Sequence, residues 1–133
     1  QYYNEVRTAI ARHDLNDKAL LHGQVSDDEL AELYMHSHAL VYPSIIEGFG
    51  FPILEAMHCG APVITSNMSS LAEIAGNAAL LVDPNNTEDI AQAMKRIASE
   101  SSLRESLISR GRARTGEFSW ERAASGVLAC LMR

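Results

Sequence analysis

Apolar positions along the chain follow two different periods. Four short, unbroken apolar runs stand out: "ALLH" at 19–22, "ALVY" at 39–42, "PVIT" at 62–65 and "ALLV" at 79–82. A half-exposed antiparallel strand alternates apolar with polar residues, whereas these runs are short and continuously apolar, as strands buried on both faces are. Between them lie longer segments of helical period. The alternation predicts an α/β fold, a parallel sheet with helices on both faces.

Helix punctuation supports this reading. Ser26 followed by Glu29 spells a capping box, in which hydroxyl and carboxylate each satisfy a free backbone N–H. Leu30, Leu33 and Tyr34 then share one face, which predicts a helix over about 27–37. Ser70 with Glu73 repeats the spelling before a short helix. Asn86 opens a longer one in which Ile90, Met94 and Ile97 recur at helical spacing. Two more helices close the chain. One carries Leu103, Leu107 and Ile108; the other is capped by Ser119 and is expected to bury Trp120, Ala123, Val127 and Leu131.

Composition narrows the function classes. A chain of 133 residues, 47% hydrophobic, fits one domain over 1–133 with a real core. Seventeen acidic against eleven basic residues give a net charge of -6, which repels phosphate backbones, so no nucleic-acid partner is expected. The one basic run, "RGRAR" from Arg110 to Arg114, lies in a helical pattern flanked by Glu105 and Glu117 and reads as a solvated helix face. Cys59 and Cys130 sit in apolar helical segments and read as small hydrophobes in a reducing compartment, so a cytoplasmic location is expected. The longest apolar run, Val127 to Met132, is far short of the ~20 residues that span a bilayer. The N-terminal "QYYNEVRTAIARHD" has neither the cationic start nor the apolar core of a signal peptide, and it lacks an initial methionine, as a piece of a longer protein does. His36, His38 and His58 fall on separate elements or helix faces, and no metal site is expected.

The chemistry concentrates in "YPSIIEGFGFPILEAMHCGAPVI", residues 42 to 64. The stretch leaves the carboxyl end of a strand, crosses a glycine-bearing loop and enters a helix that stops at Gly60 before Pro62. Open α/β sheets hold their ligands there. Gly48 and Gly50 permit close backbone approach and positive φ, and Pro52 marks the first helical turn. The unpaired N–H groups at the start of the helix suit a phosphate. Glu47 precedes the helix and Glu55 projects from its second turn, and each carboxylate is suited to accept two hydrogen bonds from vicinal hydroxyls. Two plainer readings stay open: such turns are common in α/β proteins without a ligand, and exposed glutamates often serve the helix dipole.

As a set, "EGFGFPILE" with its Glu, seven residues, Glu spacing, "YPS" before it, "CGAPVITS" after it, then "LAEIAGNAALLVDP" and "FSWERAA", resembles the retaining nucleotide-sugar-dependent glycosyltransferases of the GT-B type (group 1, family 4, mannosyltransferase-like). The resemblance covers nearly the whole chain. It implies a Rossmann-like donor-binding domain, the C-terminal half of the GT-B fold. Glu47 would contact the hydroxyls of the donor sugar as the catalytic-site carboxylate. Gly48, Phe49, Gly50 and Phe51 would meet sugar and diphosphate, Glu55 would take the ribose hydroxyls, and Gln24 and Val25 in "GQVSD" would meet the base. No cofactor is implied beyond the GDP- or UDP-linked donor, and the wording around Glu47 leans toward GDP-mannose.

The same resemblance implies an N-terminal acceptor domain, together with an opening strand–turn–strand that carries an arginine and a lysine for the diphosphate. None of these has a counterpart in the 133 residues, so the chain alone is expected to be inactive, with any membrane contact made through the acceptor domain. Without its neighbours the 19–22 strand would present an unpaired edge, expected to re-pair beside "ALVY" or to swap into a second chain as a homo-oligomer. The alternatives are an epimerase or phosphorylase on the same architecture, or a non-catalytic nucleotide-sugar-binding module. A phosphorylase needs a pyridoxal lysine, and Lys18 and Lys95 sit in a predicted turn and an outer helix.

Overall fold

Three parallel strands, β1 (Leu40–Tyr42), β2 (Val63–Ser66) and β3 (Leu80–Val82), form one sheet in the order β1-β2-β3 in the computed structural model, which describes residues 2–132. Leu40 lies opposite Val63, Tyr42 opposite Thr65, Ile64 opposite Leu80 and Ser66 opposite Val82. Parallel neighbours require crossovers, and helices supply them: α3 (Phe51–His58) between β1 and β2, and α4 (Ser69–Ala75) between β2 and β3. Helices α1 (Tyr2–Arg12) and α2 (Asp27–His36) precede the sheet, and α5 (Thr87–Ser99), α6 (Ser101–Thr115) and α7 (Trp120–Leu131) follow it.

Every residue of the central strand β2 is buried, because both faces of the sheet are covered. On one face Val63 packs with Tyr34 of α2, Ile53 and Met57 of α3 and Leu71 of α4. On the other Ile64 packs with Val82, with Ala93 and Ile97 of α5 and with Leu107 of α6. Two buried hydroxyls are satisfied at the carboxyl ends of the strands: Thr65 donates to the Tyr42 carbonyl at 2.8 Å, and Ser66 Oγ accepts from the Met68 amide at 3.1 Å. Gly111 lets α6 lie against α3, since a Cβ there would stand 3.1 Å from Met57 Cγ.

Three of the four apolar runs are strands, each within a residue of its expected place. The fourth is not. Residues 19–22 take no strand conformation, Leu20 is 78% exposed, and β1 pairs only with β2. The reason is local: the chain before this run is tied into turns, with Lys18 and Ala19 both donating to the Leu15 carbonyl, and Leu20, Leu21 and His22 make no backbone hydrogen bond among the described residues. A short apolar run has no strand conformation of its own without a partner's hydrogen bonds. Re-pairing beside "ALVY" therefore does not occur within the chain.

Helix α7 forms where expected, with Ser119 accepting from the Arg122 amide, but it buries none of its residues; Trp120 is 79% exposed and Val127 61%. Cys130 is likewise exposed. Helical period shows which side chains share a face, and says nothing about what covers it. Met94 of α5 is also exposed, while Ala93 and Ile97 carry the packing of that helix.

The "RGRAR" run is not merely solvated. Arg114 donates from Nε to the Ile74 carbonyl at 2.9 Å and from Nη2 to the Glu73 carbonyl at 2.7 Å, closing the carboxyl end of α4. Arg110 reaches the Asn77 carbonyl at 2.5 Å. Helix C-termini leave carbonyls without partners, and the Arg114 guanidinium occupies two of them, while Arg110 holds the turn just beyond.

Candidate functional site

The loop leaving β1 carries Glu47 half-buried between two holds. Tyr42, the last residue of the strand, donates its hydroxyl to Glu47 Oε1 at 2.5 Å. At the other end of the residue, the Glu47 carbonyl accepts from the Ser70 hydroxyl of α4 at 2.8 Å. The Tyr42 hydrogen bond, helped by Ser44, holds the Glu47 carboxyl below its ordinary range, so the group is a carboxylate at neutral pH. The same contact raises the Tyr42 phenol.

Gly50 ends the loop as the N-cap of α3, with φ 116° and ψ 45°. The backbone turns there from loop to helix in a region that side chains rarely enter, and a Cβ would meet Leu71 Cδ2 at 2.6 Å. Gly48 differs from expectation: its φ is not positive and the space around it is open. It therefore leaves room beside the loop without supplying a turn.

Fewer donors face outward at the helix start than a bare N-terminus offers. Pro52 has no N–H, and the Ile53 amide donates to the Gly50 carbonyl at 3.2 Å. The amides of Gly48, Phe49, Gly50 and Phe51 make no hydrogen bond to a protein acceptor among the described residues. The N–H groups available to a ligand are thus mainly those of the loop.

Phe49 packs between Phe51, with centroids 4.9 Å apart, and Phe118, which it meets edge-on at 6.0 Å. The Arg114 guanidinium lies over the Phe118 ring at 4.9 Å, so one arginine braces both α4 and the aromatic wall of the loop. Glu55 is exposed in the second turn of α3, about 6 Å along the axis from Phe51. It faces Tyr34 of α2, whose phenol is pushed up by burial and then by the nearby Glu55 and Cys59.

Residues 47–51 and Glu55 thus form one continuous structure at the carboxyl end of β1. Gln24 and Val25 lie in the segment before α2. Val25 lines an open groove of about 850 Å³ with His22, Leu33, Met35 and His36, and none of residues 47–55 lines that groove. His36 pairs with Glu32 at 3.1 Å on the exposed side of α2. Among the described residues no group of three or more histidine, cysteine, aspartate or glutamate side chains is arranged to hold a metal ion.

Tyr42, Ser70 and Phe118 build the site without having stood out as site residues in the sequence. Tyr42 lay within the "YPS" spelling. Ser70 was assigned instead to a capping box with Glu73, but α4 begins earlier, at Ser69 after Met68, and the Ser70 hydroxyl turns to the loop.

Comparison with known proteins gives a consistent picture. The family model for glycosyl transferases group 1 matches residues 1–114. The O-antigen chain mannosyltransferase B of Escherichia coli is 46% identical over 99 residues, 74% of this chain and 26% of the relative. Among solved structures, a sucrose-phosphate synthase from Thermosynechococcus elongatus superposes with a TM-score of 0.85 at 30% identity, over 97% of this chain and 34% of that one. Anabaena HepE, solved in complex with UDP and glucose, shares the fold with a TM-score of 0.87 at 21% identity, over 98% of this chain and 36% of that one. The chain spans about a quarter of the length of the curated relative and about a third of these structures.

Proposed function

The chain belongs to the glycosyl transferases group 1 family, and from that premise we propose that it is the donor-binding part of a retaining glycosyltransferase moving a sugar from a nucleoside diphosphate to a glycan or lipid-linked acceptor. The observation that carries the reading is the loop at the end of β1. There a carboxylate held by Tyr42 stands beside backbone amides with no protein acceptor among the described residues, at the entry to a helix whose second turn presents Glu55.

Breaking the bond from the anomeric carbon to the diphosphate builds negative charge on the leaving group and positive charge on the sugar ring. Fixed N–H donors on the diphosphate side lower that barrier, since they need no reorganisation as charge develops. Glu47, already ionised, orients the sugar hydroxyls and favours the cationic ring. We assign it to binding and electrostatic orientation, with the acceptor attacking on the face from which the diphosphate leaves. Glu55 would take the ribose hydroxyls. Mannosyltransferases among the relatives favour GDP-mannose, and a chain of the same fold holding UDP and glucose keeps UDP-sugars in the set.

The activity is proposed for a protein in which this chain is joined to an acceptor-binding part, and the 133 residues by themselves are expected to give no turnover. The test assays that protein for release of GDP or UDP across a panel of nucleotide sugars, with NMR detection of the anomeric configuration of the product. Turnover of one donor with retention, lost in Glu47→Gln, supports the reading; absence of turnover across the panel, or inversion, contradicts it.

A further inference from the structure

We propose that Ser70 is a positioning residue of the donor site, aiming two loop amides at the diphosphate. The inference rests on the function proposed above. Its basis is a pair of hydrogen bonds from one hydroxyl: Ser70 Oγ lies 2.8 Å from the Glu47 carbonyl and 3.0 Å from the Phe49 carbonyl. The donor is shared between acceptors two residues apart, on either side of Gly48.

In a trans peptide the C=O and the following N–H point in opposite directions, and the chain has no cis peptide among the described residues. Turning the Glu47 carbonyl toward Ser70 therefore turns the Gly48 N–H away from it. Turning the Phe49 carbonyl the same way does the same to the Gly50 N–H. Two amides that make no hydrogen bond to a protein acceptor among the described residues emerge on the face of the loop opposite α4. One side chain from a neighbouring helix sets both peptide planes, which the loop, with Ile45 and Ile46 exposed and no strand partner, does not set for itself.

The arrangement also ties the two ends of Glu47 to different elements. Its carboxylate is fixed by β1 through Tyr42 and its carbonyl by α4 through Ser70, so the sugar-side and phosphate-side groups of the site keep a constant relation. Ser70 itself touches neither ligand in this scheme. It acts through the backbone.

The test compares Ser70→Ala and Ser70→Thr with the unaltered protein, in the protein that carries this chain. Without ligand, the backbone 15N order parameters of Gly48 and Gly50 are expected to fall from about 0.85 to about 0.6 in Ser70→Ala and to remain near the starting value in Ser70→Thr, with those of β2 unchanged. With donor, Ser70→Ala is expected to lose roughly tenfold in kcat while KM changes less, because the aimed amides matter most as charge develops, and Ser70→Thr restores it. Unchanged order parameters of the loop in Ser70→Ala overturn the proposal, as does equal loss in both variants. If Ser70→Ala loses global stability, Ser70→Thr must still match the unaltered protein in loop order, and a Thr variant with a loosened loop refutes the idea. A loop that loosens in Ser70→Ala, in a protein whose unaltered form turns over no donor, would keep the tether and sink the donor-site reading, which separates the two.

Discussion

The Tyr42 hydroxyl sits 2.5 Å from Glu47 Oε1 and lowers the carboxyl's affinity for protons. A group whose folded pKa is depressed contributes stability above its unfolded pKa and loses it as the pH falls through the folded value. Tyr42→Phe should therefore raise the Glu47 pKa toward the ordinary 4.5 and flatten the part of the acid limb of the stability curve that Glu47 contributes. An NMR titration of the Glu47 carboxyl in both proteins reads this directly; an unchanged midpoint would mean that Tyr42 does not hold the group.

Gly50 and Gly48 should separate sharply in mutagenesis. At Gly50 the positive φ and the approach to Leu71 act together, so Gly50→Ala should cost roughly 2–4 kcal/mol in urea unfolding. Gly48 has open space and no positive φ, so Gly48→Ala should stay within about 0.5 kcal/mol. If both cost the same, the loop geometry is misdescribed.

Arg114 closes the end of α4 and stacks on Phe118, which leans on Phe49. Arg114→Ala should destabilise by roughly 1–3 kcal/mol. Arg114→Lys should recover little of it, since an ammonium cannot reproduce the two-carbonyl fork and the stacked plane. Thermal unfolding of the three proteins checks the order.

Glu55 is exposed and makes no ion pair among the described residues, so its replacement should leave the fold intact. If it accepts both ribose hydroxyls, Glu55→Ala should weaken nucleotide binding by about 10- to 100-fold, the equivalent of roughly 1.5–3 kcal/mol. Calorimetry with GDP and UDP measures it, and equal affinities in the two proteins would remove Glu55 from the site.

What was legible in the sequence was what local chemistry decides. The Ser26 and Glu29 capping box formed as spelled, with the Ser26 amide donating to Glu29 at 2.8 Å, because both partners lie within one helical turn. Ser70 and Glu73 carry the same spelling and do not form it, because α4 starts at Ser69 with Met68 as its N-cap, which puts Ser70 inside the first turn, and its hydroxyl donates to the carbonyls of Glu47 and Phe49, more than twenty residues earlier. Gly50, Pro52 and Gly60 marked their helix boundaries, since turn conformation depends on the residue itself. Residues 19–22 and α7 were misjudged for a shared reason. An apolar run or stripe states a need for a partner, and the partner is not encoded in the run.

The central claim is that the Gly48–Phe51 loop, with Glu47 and Glu55 on either side, receives the donor. Amide shifts of the labelled protein during titration with GDP-mannose and UDP-glucose test it most directly. The account predicts that the largest shifts fall at Gly48, Phe49, Gly50 and Phe51, followed by Glu55. Largest shifts around the groove between His22 and Ser37, or saturation of binding with the loop amides unmoved, would contradict it.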